Sequence, residues 1–305
     1  MGTTRRPLLR DVSLRDGLQL EDPLPLAAKL ELLDAIVATG VRRIEATAFV
    51  SPRAVPALAD AEDVASAALS RWPEVEFSAL VASPGGAARA VAAGLRRVEY
   101  VVSASETHSR ANVRRTVTEA VAQTAEVASL VHGAGGRLEV IVAIAFDCPF
   151  EGPTPVETVT RIASEVVALG ADELCLGDTI GTATPVRTSA LVTAVSAAAP
   201  SVPLGLHLHD TRGTGLASAW AGWLAGVDRF DGAVGGLGGC PFAPGASGNV
   251  AFEELAHLFA DGGLLTDLSV PAAISAAALA AEFVGHPLPS RLLKAGLPAL
   301  AAAGG

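Results

Sequence analysis

LLRDVSLRDGLQ, residues 8–19, is the stretch that separates two folds. It opens as a short apolar strand and then turns into a charged loop. An open, doubly wound sheet usually announces itself by a glycine-rich phosphate turn after its first strand; here that turn reads SLRDGLQ. Outward from it, β-rich runs alternate with longer Ala-rich helical stretches about eight times. The pattern predicts strands near 8–13, 41–47, 76–82, 97–103, 138–145, 172–177, 203–209 and 229–234. Amphipathic stretches such as 25–39, 115–133, 155–169 and 186–199 lie between them, and Gly40, Gly94 and Gly170 stand where a helix stops on a positive φ. Eight βα units in about 260 residues match the count and size of a (β/α)₈ TIM barrel. The expected organisation is one α/β domain over 1–305, with the barrel at about 7–264 and a short C-terminal helical extension at about 265–300. The final AAAGG is expected to fray.

Half of the residues are hydrophobic and 4% are aromatic, so the core must be built from Ala, Val and Leu, which suit helices layered on buried strands. A net charge of −10 argues against a nucleic-acid partner, because phosphate contacts need clustered Lys and Arg. No apolar run reaches the ~18 residues of a membrane span, and MGTTRRPLL is not followed by an apolar signal segment. Cys148, Cys175 and Cys240 form no CxxC pair, which fits a reduced, cytoplasmic setting.

In a parallel barrel the chemistry collects at the C-terminal ends of the strands. GLHLHDTRGTG, residues 205–215, puts His207 and His209 there. Residues i and i+2 of a strand share a face, so both imidazoles project into the barrel mouth. A satisfied core pair, a proton-transfer pair and two ligands of one ion are all open readings. Asp16 from the first loop and Asn249 from the eighth could add oxygen donors, because the first, seventh and eighth strands adjoin where the barrel closes. Two nitrogens, a carboxylate and an amide oxygen suit Mg²⁺ or Mn²⁺. Arg15 could hold a carboxylate or a developing oxyanion, or form a surface ion pair. Cys240 lies among glycines in GGLGGCPFAPGASGN, as a gated acid or base would, whereas Cys148 and Cys175 fit the core.

RDGLQ (15–19), IEATAFVSP (44–52), GDTIG (177–181), HLHDT (207–211) and GGLGGCPFAPGASGNVAFEEL (235–255) together resemble the 3-hydroxy-3-methylglutaryl-CoA lyase family of metal-dependent barrels. The resemblance runs from about 8 to 290. It implies a (β/α)₈ barrel, commonly a homodimer, that cleaves an acyl-CoA thioester to acetyl-CoA and a keto acid. It also implies Asp16, His207, His209 and Asn249 as ligands of a divalent cation, Mg²⁺ or Mn²⁺. Arg15 and Cys240 fall on catalytic positions, with His207 as a partner in proton transfer. Glu45, Asp178 and Glu253 fall on polar positions around the site. Arg15, Gln19, Arg110 and Asn112 are the expected substrate-binding residues.

Departures from the family pattern bear on the acyl group and on CoA. Leu20-Glu21-Asp22 replaces a more polar and basic run, Arg212 and Thr214 are expected near the acyl pocket, and Ala54 leaves extra room. Arg110, Arg114 and Arg115 could attract phosphates or simply open a solvated helix. The leading expectation is cleavage of 3-hydroxy-3-methylglutaryl-CoA to acetyl-CoA and acetoacetate. A lyase or aldolase for another 3-hydroxyacyl-CoA or a free hydroxy acid is the alternative, and a non-catalytic metal-binding scaffold is the contrasting class.

Overall fold

The structure is a computed structural model that describes residues 5–239, 248–265 and 267–298. The strands are β1 (Leu8–Asp11), β2 (Arg43–Phe49), β3 (Glu76–Val81), β4 (Arg97–Ser103), β5 (Arg137–Ala143), β6 (Asp147–Cys148), β7 (Gly152–Pro153), β8 (Glu173–Asp178), β9 (Leu204–Leu208) and β10 (Arg229–Gly232). The helices are α1 (Leu26–Val37), α2 (Ala61–Arg71), α3 (Pro84–Ala92), α4 (Glu106–Val113), α5 (Val117–Ala122), α6 (Thr124–Gly133), α7 (Val156–Ala168), α8 (Pro185–Ala198), α9 (Gly215–Ala225), α10 (Phe252–Asp261), α11 (Val270–Val284) and α12 (Arg291–Ala295).

Eight strands pair in parallel and close a barrel in the order β1-β10-β9-β8-β5-β4-β3-β2. Closure runs between the first and last strands, with Leu9 opposite Phe230 and Asp11 opposite Gly232. Each barrel strand feeds helix that packs back on the outside, as the alternating pattern predicted, and this is a (β/α)₈ TIM barrel. Gly40, Gly94 and Gly170 do take φ of 91°, 98° and 109° behind their helices. Such values strain any side chain with a Cβ, so the helices stop there.

Small side chains let the helices sit close to the sheet. α7 buries Val159, Ile162, Ala163 and Val166, one stripe at helical spacing; each large aliphatic side chain buried this way contributes about 1.5–3 kcal/mol. The tail helix α11 repeats the device with Ala273, Ala276, Ala277 and Ala280, and it packs against α1. Two details differ from expectation. The stretch 115–133 is two helices, α5 and α6, which meet at Gln123; a capping box of Thr116 and Glu119 opens the first. β6 and β7 form a small antiparallel hairpin that no periodicity in so short a run announces. Among the described residues, no helix is long and apolar enough to cross a membrane.

Candidate active site

Beyond β1 the backbone widens into one π-helical turn, Ser13–Gly17, in which the amides of Gly17 and Leu18 donate to carbonyls five residues back. Such turns re-aim side chains and recur at functional sites. This one is anchored from both sides. Asp11 accepts the Ser13 backbone N–H (3.0 Å) and hydroxyl (2.8 Å), and Ser13 Oγ accepts the Val234 amide at 2.8 Å. The result is that Arg15 and Asp16, neighbours in sequence, both enter the barrel mouth and are buried.

Asp16 meets the two histidines there. His207 Nε2 lies 3.3 Å from His209 Nε2, and Asp16 Oδ2 lies 3.5 Å from His209 Nε2 and 4.0 Å from His207 Nε2. Asn249 arrives by a short antiparallel bridge to the end of β9: the Asp210 amide donates to the Gly248 carbonyl, and the Val250 amide to that of Leu208. Its Nδ2 donates to Asp16 Oδ2 at 2.7 Å and to the Leu237 carbonyl at 2.9 Å. Glycines make this approach possible. A Cβ at Gly238, where φ is 118°, would stand 2.7 Å from Asn249 Nδ2, and one at Gly248 would stand 2.5 Å from the Gly238 carbonyl oxygen. At least these two glycines of the loop therefore serve close packing rather than motion.

Arg15 is locked in place by two carboxylates. Its Nη1 lies 2.5 Å from Asp16 Oδ1 and its Nε 2.7 Å from Glu45 Oε2. Burial pushes the Asp16 pKa up, but Arg15, His209 and His207 outweigh burial and hold the carboxyl well below the usual range. Burial raises the Glu45 pKa, and nearby Glu99 adds to this against the opposing pull of Arg15. Gln19 Nε2 donates to Asp16 Oδ1 at 2.9 Å, so it braces that carboxylate.

Asp178 and Glu253 hold backbone. Asp178 accepts the amides of Thr182 and Ala183, each at 2.9 Å, and so shapes the loop after β8; its pKa is raised by burial against those hydrogen bonds. Glu253 accepts the Gly235 amide on both oxygens, and burial lifts its pKa to about 6.

A cavity of about 1190 Å³ opens beside the cluster. Arg15, Asp16, Gln19, His207 and His209 line one wall, and Ala48, Leu80, Val101 and Ile141 line an apolar one. Leu20, Ala54, Asn112, Arg114 and Arg115 also border it. Arg110 does not: it is exposed on α4 and pairs with Glu106 one turn earlier at 2.8 Å. Nor do Arg212 and Thr214. Arg212 donates to the carbonyls of Ile180 and Gly181, and Thr214 donates to that of Ala183, so both stitch neighbouring loops together. Cys148 and Cys175 are buried. Cys240 lies outside the described residues.

One further residue at the site has no place in the sequence reading. Asp231 of β10 sits 3.2 Å from His207 Nδ1 and is paired with Arg10 of β1. A carboxylate flanked by Phe230 and Gly232 in a buried strand needs a partner, and that need was its signal.

The cluster fits a divalent cation. Asp16, His207 and His209 each offer a ligand atom, all within 4.8 Å of one another. Asn249 Oδ1 is buried and accepts no hydrogen bond from any described residue. A buried amide oxygen left unpaired is costly unless something else binds it. Two imidazoles, a carboxylate and an amide oxygen form a mixed N/O set of the kind that Mg²⁺, Mn²⁺ and related ions accept.

Residues 6–279 match the HMGL-like family model. The chain is 41% identical over 296 residues to the (R)-citramalyl-CoA lyase of Chloroflexus aurantiacus, covering 94% of this chain and 93% of that one. It is 37% identical over 292 residues to a hydroxymethylglutaryl-CoA lyase of Bacillus subtilis, covering 95% and 97%. Among solved structures, the HMG-CoA lyase of Acinetobacter baumannii in complex with coenzyme A and 3-methylmalate superposes with a TM-score of 0.92 at 37% identity, over 98% of each chain. Relatives that are lyases over nearly their full length set aside a non-catalytic scaffold. The chain therefore belongs to the HMGL-like family and is a carbon–carbon lyase of the hydroxymethylglutaryl-CoA lyase family.

Proposed function

We propose that this lyase uses Mg²⁺ or Mn²⁺ to cleave 3-hydroxy-3-methylglutaryl-CoA to acetyl-CoA and acetoacetate. The observation that carries the reading is the meeting of Asp16, His207 and His209, beside Arg15, on the wall of an open cavity, with Asn249 bonded to Asp16 through Nδ2 and its own oxygen unpaired. A cation held by these four residues would act as a Lewis acid on the substrate hydroxyl and the adjoining carboxylate side. The rest falls to the protein. The C2–C3 bond breaks as the C3 hydroxyl loses its proton and becomes a carbonyl, and the electron pair passes to the thioester as an enolate. Arg15, fixed by Glu45 and Asp16, puts a permanent positive charge where the enolate oxygen develops. A proton then returns to C2 to make the acetyl group, so no other reactant is consumed. We assign both transfers to Cys240: its thiolate would take the hydroxyl proton and its thiol would return it to C2, with His207 serving as a ligand of the cation.

The same geometry serves a second substrate. Citramalyl-CoA keeps the 3-hydroxyacyl thioester and shortens the acid arm by one methylene, so the same bond would yield acetyl-CoA and pyruvate. The 41% identical relative favours it. One methylene is worth only ~1–3 kcal/mol in a pocket.

Five arginines (Arg15, Arg53, Arg89, Arg114 and Arg115) and a single carboxylate, Asp16, are among the described residues lining the cavity. In a chain of net charge −10 this is a local reversal of sign that suits the phosphates of the carrier. Arg89 is already paired with Glu62; Arg53, Arg114 and Arg115 are the ones we assign to the phosphates. Pairing with a second copy of the chain completes the proposal, and light scattering after gel filtration tests it.

The catalytic experiment offers both thioesters with Mg²⁺ or Mn²⁺, with and without chelator, and follows acetyl-CoA, acetoacetate and pyruvate. Chelator-sensitive acetoacetate release supports the first substrate, and pyruvate release the second. Turnover untouched by chelator would refute the role of the ion. The variant Cys240→Ala should lose most turnover and still bind Mn²⁺.

A further inference from the structure

Two imidazoles face the same ion cluster, but the protein treats them differently. His209 Nδ1 is buried and has no hydrogen-bond partner among the described residues. His207 Nδ1 lies 3.2 Å from Asp231 Oδ2, while its Nε2 faces His209 and Asp16. We propose that Asp231 is a positioning residue that sets the tautomer and ring angle of His207, so that Nε2 presents a lone pair to the cluster. The proposal rests on the reading that this cluster takes a divalent cation.

The geometry supports it in three steps. Asp231 is itself clamped: Arg10 Nε donates to its Oδ1 at 2.9 Å and Arg10 Nη2 to its Oδ2 at 2.6 Å, a two-pronged contact across the closure of the barrel. Arg10 is held in turn by Glu139 at 3.1 Å and by Glu99 at 2.7 Å. All four side chains are buried on neighbouring or facing strands, so the carboxylate cannot drift. An ionised carboxylate can only accept, so a hydrogen bond with His207 places the imidazole proton on Nδ1. Nε2 is then bare and aimed at the cluster, which is the form an imidazole must have to bind a metal.

Asparagine at 231 reverses this logic. Its oxygen would stay with the Arg10 guanidinium, and its NH₂ would face His207 and donate to Nδ1. The ring proton would then sit on Nε2, pointing into the ligand set.

The test reads the tautomer directly. Nitrogen-15 NMR of metal-free, histidine-labelled protein, with His207→Gln for assignment, should show His207 protonated on Nδ1 in the wild type and on Nε2 in Asp231→Asn. Calorimetric titration with Mn²⁺ should show affinity falling about 10–100-fold in Asp231→Asn. Arg10→Lys, which keeps the charge and loses the fork, should show a smaller loss with the wild-type tautomer. A wild-type His207 protonated on Nε2 overturns the proposal, and that measurement needs no folded variant. So does a folded Asp231→Asn that binds Mn²⁺ within twofold of wild type. A wild type that binds no Mn²⁺ overturns the metal reading instead and leaves the tautomer to decide the role of Asp231.

Discussion

Gly238→Ala is the sharpest perturbation of the candidate site, because one added methyl group touches two proposed ligands. The new Cβ would stand 2.7 Å from Asn249 Nδ2 and 3.3 Å from Asp16 Oδ2. Ordinary contact begins near 3.4 Å, so the Asn249 amide must retreat by about 0.7 Å or more. That retreat strains its 2.7 Å hydrogen bond to Asp16 and shifts the whole amide, its oxygen included. The backbone is affected as well: φ at 238 is 118°, and alanine there costs about 1–3 kcal/mol. For a chain of this size that lowers Tm by only about 2–4 °C per kcal/mol, so the variant should stay folded at 25 °C. Displacement of a reacting group by about 1 Å costs on the order of 10²-fold in rate. The assay is acetyl-CoA release from the preferred thioester, run beside a thermal melt and a Mn²⁺ titration. The expected result is a turnover loss near 10²-fold with weaker Mn²⁺ binding and a modest shift in Tm. A folded variant within twofold of wild-type turnover and Mn²⁺ affinity would refute the placement of Asn249 in the site.

Other outcomes follow from the same geometry. Arg15→Lys loses the fork that reaches both Asp16 and Glu45, so kcat should drop about 10²–10³-fold, with a smaller change in KM by steady-state kinetics. Arg114 is held at φ 58°, a left-handed position that ends α4. Arg114→Gly should raise Tm slightly while raising KM for the CoA thioester; an unchanged KM would remove this arginine from the phosphate subsite. Chelation should lower Tm, and Mn²⁺ at about 100 times its Kd should restore about 2.7 kcal/mol, read by differential scanning fluorimetry. Burial pushes the pKa of Asp11 up to about 7, against hydrogen bonds from Ser13 that pull it down. A raised acid gives stability that is fully present below its unfolded pKa near 4 and is lost as pH rises through about 7. Wild type should therefore lose up to about 4 kcal/mol over that window, and Asp11→Asn should flatten that part of the Tm–pH curve.

The rim of the barrel was legible because strand periodicity is strict. Two histidines at i and i+2 must share a face, and Asp16 and Asn249 lie at the ends of strands that close the barrel. The interior was not. Arg10, Glu99, Glu139 and Asp231 are charges within buried strands, and their partners lie up to 221 residues away in the chain. Arg110 and Arg114 show the limit within a single loop. A short helix and its left-handed end decide that Arg114 borders the cavity while Arg110 folds back on Glu106, and neither boundary follows from charge alone. Arg212 follows a similar rule: the carbonyls of Ile180 and Gly181 in the neighbouring loop take up its guanidinium, away from the mouth.

The closing seam between β1 and β10 has a consequence for biogenesis. Asp16 is made early and Asn249 very late, and the two touch only after the final strand has docked. A nascent chain still short of residue 229 has Asp16 and both imidazoles but neither the seam nor the Asn249 amide. A cation bound there would act as a rivet driven last, rewarding only barrels that have been sewn shut.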